Sequence, residues 1–347
     1  MNIPGAWRIK KGIKKISRKF KTADIVLMYH RVASPLFDPW RLSVSPENFS
    51  SQMVWLKENC YVTTLEDLIE KSGTYKLINK PRVVITFDDG YCDNFEVAYP
   101  ILNKYKLPAT IFISTGYIGR KGLYWWDDLV RVILETKEVP EELVLEDVLG
   151  KKYQFHLGDD SKHNLEGDTY QSWMPWEKAP SSRHQLYYDL WKLFRESNAQ
   201  NFANFQKQLY RWAGVSAEGN NADWPMTVEQ LKYIAGDELI QIGGHTINHY
   251  SFKNIDLEMQ KHELVEAKEQ LERWINQKVS TFSYPFGDYT TQSESLAKKA
   301  GYKIACTTSP HCFDATYSPY HVPRFEVHNW NGNALGDKIN NWINNRK

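Results

Sequence analysis

Short apolar, β-prone runs alternate along this chain with longer segments whose apolar residues recur every three or four positions. Ile25–Tyr29, Val83–Ile85, Ala109–Ile113, Leu239–Ile242, Thr281–Tyr284 and Lys303–Thr307 read as strands, because each is a compact run bounded by turn residues or by a change of period. The helical period predicts helices around Phe49–Glu58, Phe95–Tyr105, Leu231–Ala235, Leu257–Ile275 and Leu335–Ile343. Strand–helix alternation of this kind predicts a parallel sheet, open or closed into a barrel. The rhythm breaks between Tyr124 and Trp224, where the pattern is helix-rich and carries the polar loop "GDDSKHNLEGD" beside the Trp-rich "YQSWMPW". This stretch, 124–224, reads as an insertion on one loop of the core domain, and such loops on an α/β scaffold shape substrate access.

The ends of the predicted strands carry the chemistry. "VVITFDDGYCDN" runs from a buried strand straight into Asp88, Asp89 and Gly90. On its own "DDG" is a common turn. Adjacent carboxylates resist being charged together, so a cation, a shared proton or solvation must hold them. In "LIQIGGHTINHYSF" a second strand runs into His245 and His249, four residues apart. If the segment after the glycines is helical, both imidazoles lie on one face and converge on one ion. Alone, this spacing is a weak motif. Both pairs, however, follow the C-terminal end of a predicted parallel strand, where α/β folds place their chemistry. Two His and one carboxylate with open positions suit catalytic zinc, and equally iron, manganese or cobalt. One acid can then ligate while its neighbour stays free as a base. His30 and Arg31 follow the first strand, and Tyr284, Pro285 and Gly287 follow another.

With these residues the chain resembles a polysaccharide deacetylase of the NodB-homology type, carbohydrate esterase family four. "TFDDG" is similar to the first motif of that family, "HTINH" to its second and "YPFG" to its third. "LMYHRV" is similar to the branch whose barrel is circularly permuted, which includes biofilm poly-N-acetylglucosamine deacetylases. The resemblance covers Ile25 to about Arg324 apart from the insertion. It implies a deformed (β/α)7 barrel, with Asp88 as catalytic base and Asp89, His245 and His249 as ligands of a divalent metal. Zinc is expected first, with cobalt, nickel, manganese and iron(II) also suited. It further implies a backbone oxyanion donor at Tyr91 and an acetyl pocket lined near Tyr284 and Pro285. Two departures stand out. Many members carry an Arg in the third motif that steadies the base, and the corresponding position here is Ser283. Arg324 in "HVPRF" is the replacement candidate, since a fixed guanidinium can hold Asp88 ionised; a structural ion pair is the plain alternative. The C-terminal Leu-x-His of the family is not found. His30 is the best substitute for its proton-donating His, with His321 and His328 behind it.

Composition narrows the partners. A formal net charge of +1 gives no field that points to nucleic acid, whereas 13 Trp and 20 Tyr suit the flat apolar faces of sugars. Cys60, Cys92, Cys306 and Cys312 show no metal-binding spacing, so free thiols in a reducing compartment are the default. Neither a signal peptide nor a membrane-spanning run is expected from this pattern. Residues 1–23 are rich in Lys and Arg, with Ile3, Trp7, Ile13, Ile16 and Phe20 at near-helical spacing. They read as a basic amphipathic segment on an anionic membrane surface, or as a solvated tail. The expectation is a cytoplasmic enzyme, in peripheral contact with the inner face of the membrane. It would remove N-acetyl groups from an amino sugar in a glycan or in a lipid- or nucleotide-linked precursor. Three rivals are a hydrolase of non-sugar amides, a non-haem iron oxygenase built on the same ligand trio, and an inactive carbohydrate-binding protein. Retention of the base and all three ligands argues against the last.

Overall fold

The computed structural model describes residues 23–70, 80–162, 165–216, 224–314 and 316–345, so the basic segment lies, but for Ala23, outside the described residues. The strands are β1 (Asp24–Tyr29), β2 (Tyr61–Val62), β3 (Arg82–Phe87), β4 (Ala109–Ile113), β5 (Glu142–Glu146), β6 (Lys152–His156), β7 (Ile240–Gly244), β8 (Thr281–Ser283), β9 (Ile304–Cys306) and β10 (Phe325–Glu326). The main sheet runs β10-β1-β3-β4-β7-β8-β9, with β2 also pairing with β3, and every pairing in it is parallel. The strip 322–327 links its two ends. Val322 exchanges backbone hydrogen bonds with Ala305 and Thr307 beside β9, while Phe325 and Glu326 pair with β1. The sheet thus curls into the deformed barrel expected for this family type.

β3 and β4 are buried at every position. Their side chains meet either the barrel interior or the helices outside it, which is why they read as unbroken apolar runs. The helices start at strong caps. Ser45 accepts from Asn48 N at the head of Pro46–Asn59, with Pro46 in the first turn, and Thr227 and Gln230 form a reciprocal capping box at Val228–Ala235. The helix Leu257–Ile275 begins at the Asp256 cap and ends where Asn276 turns left-handed at φ 53°.

The middle of the chain differs from the helix-rich expectation by one hairpin. β5 and β6 pair antiparallel, and Leu143 and Leu145 are buried while Glu142, Val144 and Glu146 face solvent. These strands belong to a second apolar core, built on Trp125, Leu129, Leu186, Leu190, Phe194 and Phe205. The main core lies in and around the barrel, on Leu27, Ile85, Ile111, Leu264 and Phe282 among others. β10 escaped the sequence reading because it has two residues and follows Pro323 closely.

Candidate active site

The acid pair sits on a left-handed turn. Asp88 continues β3 and donates its N–H to Tyr29 O at 3.0 Å. Asp89 follows at φ 76° and Gly90 at φ 91°, a conformation unfavourable for a non-glycine residue. The structure holds Asp89 there through its carbonyl, which accepts from Ser114 N at 3.1 Å and from the Tyr124 hydroxyl at 2.8 Å. At φ 91° a glycine is favoured, because an L side chain there would be strained whatever the space around it.

The His pair converges, but not by the expected route. Residues 245–250 are a loop rather than a helix, with Thr246 at φ 67° and His249 at φ 57°. Helical spacing is therefore not what brings the rings together. A buried carboxylate on the helix Leu257–Ile275 does it: Glu263 Oε2 accepts from Ile247 N at 2.7 Å and Asn248 N at 2.9 Å, and its Oε1 accepts from Asn248 Nδ2 at 2.7 Å. Thr246 Oγ1 accepts from His249 N at 2.9 Å and closes the loop.

Asp89, His245 and His249 form a buried group whose ligand atoms all lie within 4.8 Å of one another. Asp89 Oδ1 is 3.4 Å from Nε2 of each imidazole. Bonds of about 2.0–2.2 Å around a tetrahedral ion place neighbouring ligand atoms about 3.3–3.6 Å apart, so these separations fit a shared cation. Three details agree. Asp89 Oδ1 is buried with no hydrogen-bond partner among the described residues. His245 Nδ1–H donates to Ser283 O at 2.7 Å, which leaves its Nε2 lone pair facing Asp89. Burial holds the His249 ring at a pKa of about 3, so it is neutral and able to ligate. The set of one carboxylate and two imidazoles could hold zinc or another divalent transition metal.

Asp88 stands beside this group, with its Oδ2 4.0 Å from His245 Nε2, but it is held differently. Arg324, fully buried, grips it bidentately, Nη1 to Oδ1 and Nη2 to Oδ2, both at 2.7 Å. Ser283 Oγ donates to Oδ2 at 3.2 Å. The guanidinium is fixed in turn by Thr307 O, Thr86 Oγ1 and Ser283 Oγ. Burial alone would raise the Asp88 pKa; neighbouring positive charge, that of the hydrogen-bonded Arg324 guanidinium foremost, outweighs it and leaves the carboxyl below the ordinary range. A dry, ionised and oriented carboxylate is what a general base requires.

A cavity of about 480 Å³ opens above these groups. His30, Asp88, Asp89, His245 and His249 line its floor. His30 is set there by its neighbours: its carbonyl accepts from Asn94 Nδ2, and Arg31 turns away to pair with Asp93 at 3.0 Å. The "LMYHRV" and "DDGYCDN" stretches thus interlock. Tyr284 and Pro285 do not line the cavity. Both are buried, and they support the turn that presents Phe286, at φ 58°, to the cavity instead. Tyr91 is also behind the wall, its hydroxyl donating to Asp127 and accepting from Trp126 Nε1. His321 pairs with Glu294 at 3.0 Å and His328 with Arg41 O, and neither lines the cavity. Sequence reasoning missed the aromatic wall: Trp40, Trp126, Trp176, Trp191 and Phe286, with Arg195. The unusual Trp content and the Trp-rich stretch ending at Trp176 hinted at it without placing it.

A family model described as polysaccharide deacetylase matches residues 77–143 and 198–305, just over half of the chain. The chain belongs to the polysaccharide deacetylase family. The match omits 144–197, which falls in the middle of the insertion. Among curated relatives, the Bacillus subtilis (strain 168) protein YxkH, which carries a provisional polysaccharide deacetylase name, is 24% identical over 90% of this chain and 75% of its own. The poly-beta-1,6-N-acetyl-D-glucosamine N-deacetylase of Staphylococcus aureus (strain MSSA476) is 35% identical over 37% of this chain, a match that spans 46% of the staphylococcal protein. Two solved structures share the fold: the Streptococcus pyogenes deacetylase PplD in complex with acetate (TM-score 0.55, 18% identity, 93% of this chain and 98% of that one), and IcaB from Ammonifex degensii (TM-score 0.55, 17% identity, 93% and 98%). The chain therefore has the barrel of its family, and Trp126, Trp176, Trp191 and Arg195 from 124–224 line its cavity.

Proposed function

We propose that the protein is a metal-dependent carbohydrate N-deacetylase, hydrolysing the linear amide C–N bond between an acetyl group and an amino sugar. The observation that carries the proposal is the buried, Arg-clamped carboxylate of Asp88 beside the convergent Asp89–His245–His249 group, at the floor of an aromatic cavity. Asp89, His245 and His249 would hold a divalent cation, which when bound supplies Lewis acidity to an acetamide carbonyl and to a water. Asp88 takes the proton of the attacking water, and Arg324 keeps it ionised and aimed. His30, on the same floor, gives a proton to the departing amine, a poor leaving group without one. The role of the Tyr91 backbone N–H as an oxyanion donor rests on the family resemblance. The staphylococcal relative is named for a polymer of N-acetylglucosamine, and this chemistry supports a substrate of the same class here.

The test is acetate release from N-acetylated sugars by protein stripped of metal and then reloaded. Activity should vanish on stripping and return with zinc or another divalent ion. Asp88→Asn should keep its metal and lose activity by about 10²-fold or more, whereas Asp89→Asn should lose the metal itself. Metal-independent acetate release, or metal content exchanged between the two variants, would overturn the assignment.

A further inference from the structure

Beside its three imidazoles, the cavity is lined by four charged side chains: Asp88, Asp89, Arg195 and Glu326. The first three have partners. Arg324 clamps Asp88, Asp89 belongs with His245 and His249 to the group that could hold a cation, and Arg195 pairs with Asp288 at 2.6 Å. Glu326 has neither a hydrogen bond nor an ion pair to its side chain among the described residues, and its carboxylate is open to the cavity. The strip 322–327 puts it there by alternation. Arg324 reaches inward to Asp88, Phe325 turns outward and stacks on Trp342 with centroids 4.1 Å apart, and Glu326 faces the cavity again. Successive inward positions on a strand are about 6.6 Å apart. Glu326 therefore stands one step above the clamp on Asp88, beside Met28 in the register with β1. A third carboxylate in a cavity that already holds two adds repulsion, and without a partner it returns no hydrogen bond to the fold. Its position serves what enters the cavity.

We infer that Glu326 is a specificity-determining residue: it accepts hydrogen bonds from hydroxyl groups of the reacting sugar and rejects a sugar that carries negative charge on that ring. The enzyme then takes neutral N-acetylated sugars and refuses their phosphorylated or carboxylated counterparts. A carboxylate offers acceptors only, about four lone-pair sites on two oxygens, which suits neighbouring hydroxyl donors. An anion at the same place meets like charge and leaves polar groups unpaired, and that is how a site discriminates against a near-identical ligand. Arg195 gives such an anion little relief, because Asp288 already holds it. The inference rests on the deacetylase reading for the ligand being a sugar. The charge filter rests on Glu326.

The experiment compares kcat/KM for acetate release from N-acetylglucosamine, its 6-phosphate and N-acetylmuramic acid, in the metal-loaded protein and in Glu326→Gln and Glu326→Ala. Tryptophan fluorescence titration of the same sugars onto metal-free protein reads binding separately. Glu326→Gln keeps the shape and removes the charge, so any attraction of an anion to a bound metal is common to both proteins and cancels. The anion-to-neutral ratio should rise about tenfold in Glu326→Gln, the scale of one charge acting across several ångströms of a partly wet cavity. Added salt should raise the same ratio in the unaltered protein more than in the Gln variant. Glu326→Ala should raise KM for N-acetylglucosamine about tenfold with kcat little changed, the scale of a hydrogen bond to a charged group. A carboxylate that is merely solvated leaves the ratio the same in Glu326→Gln, in turnover and in titration alike, and that result overturns the filter. If no sugar yields acetate but the titration ratio still moves in Glu326→Gln, the filter stands and the deacetylase reading falls. Binding of none of the three sugars overturns both.

Discussion

The floor of the cavity and its outer wall solve opposite problems. At the floor, charge is taken out of water and tied down: Asp88 and Arg324 satisfy each other through two bonds of 2.7 Å, and Glu263 spends its carboxylate on three N–H groups of one loop. At the wall, the groups are large neutral rings whose exposure increases outward to 64% at Trp176. The floor stands on the ends of β1, β3, β7 and β8, rigid elements that share one core. The outer wall, apart from Trp40 and Phe286, stands on 124–224, which packs around a second apolar core that also takes in Phe37 and Tyr91. Buried charge is expensive to misplace and so favours a scaffold with little freedom. Stacking tolerates small shifts, so it can be delegated to an added layer. The floor should thus decide whether reaction occurs, and the wall which molecule reacts.

The largest effect that sharpens this division is at His30. His30→Ala should cut amide hydrolysis by about 10²-fold or more, the usual scale for a general acid. An acetate ester, whose alcohol leaves with far less need of a proton, should lose much less. Equal losses on amide and ester with metal still bound would remove His30 from the floor's chemistry.

For stability, as opposed to rate, the largest effect is at Arg324. Arg324→Met leaves Asp88 buried and unpaired, which should cost about 3–5 kcal/mol of stability by denaturant unfolding. Adding Asp88→Asn should return part of that, because an amide has no charge to compensate. If the double variant unfolds as early as the single one, the ion pair is not what stabilises the floor.

Leu190→Ala probes the other region. Leu190 is fully buried in the second apolar core, and its truncation should cost about 2–5 kcal/mol there. The expected signature is a raised KM for oligomers with metal content retained. Loss of metal in this variant would show that floor and wall are one structural unit, and the comparison would break.

The smallest effect concerns the loop clamp. Glu263→Gln keeps the shape but gives up the charge that accepts from Ile247 N and Asn248 N. Metal affinity, read by competition with a chelator, should fall about 10- to 100-fold, as for other groups that orient ligands. An unchanged affinity would mean that the strand end alone places His245 and His249.

Sequence periodicity was enough for the barrel strands, because a strand buried on both faces must be an apolar run, and β3 and β4 are. It was enough, too, to single out Asp88, Asp89, His245, His249 and His30, since reactive side chains that follow such runs stand out against them. The route by which they meet was not legible. "HTINH" has helical spacing, yet the loop is bent left-handed by Glu263, 14 residues beyond His249 in the chain. Arg324 could be named only as a candidate, because it and Asp88 are 236 positions apart. Only closure of the sheet by the strip 322–327 joins them. The aromatic wall was least legible of all. A tryptophan in a core and a tryptophan at a cavity rim look alike in sequence, and which one is left uncovered depends on how the insertion folds back over the barrel, which is a property of packing rather than of local pattern.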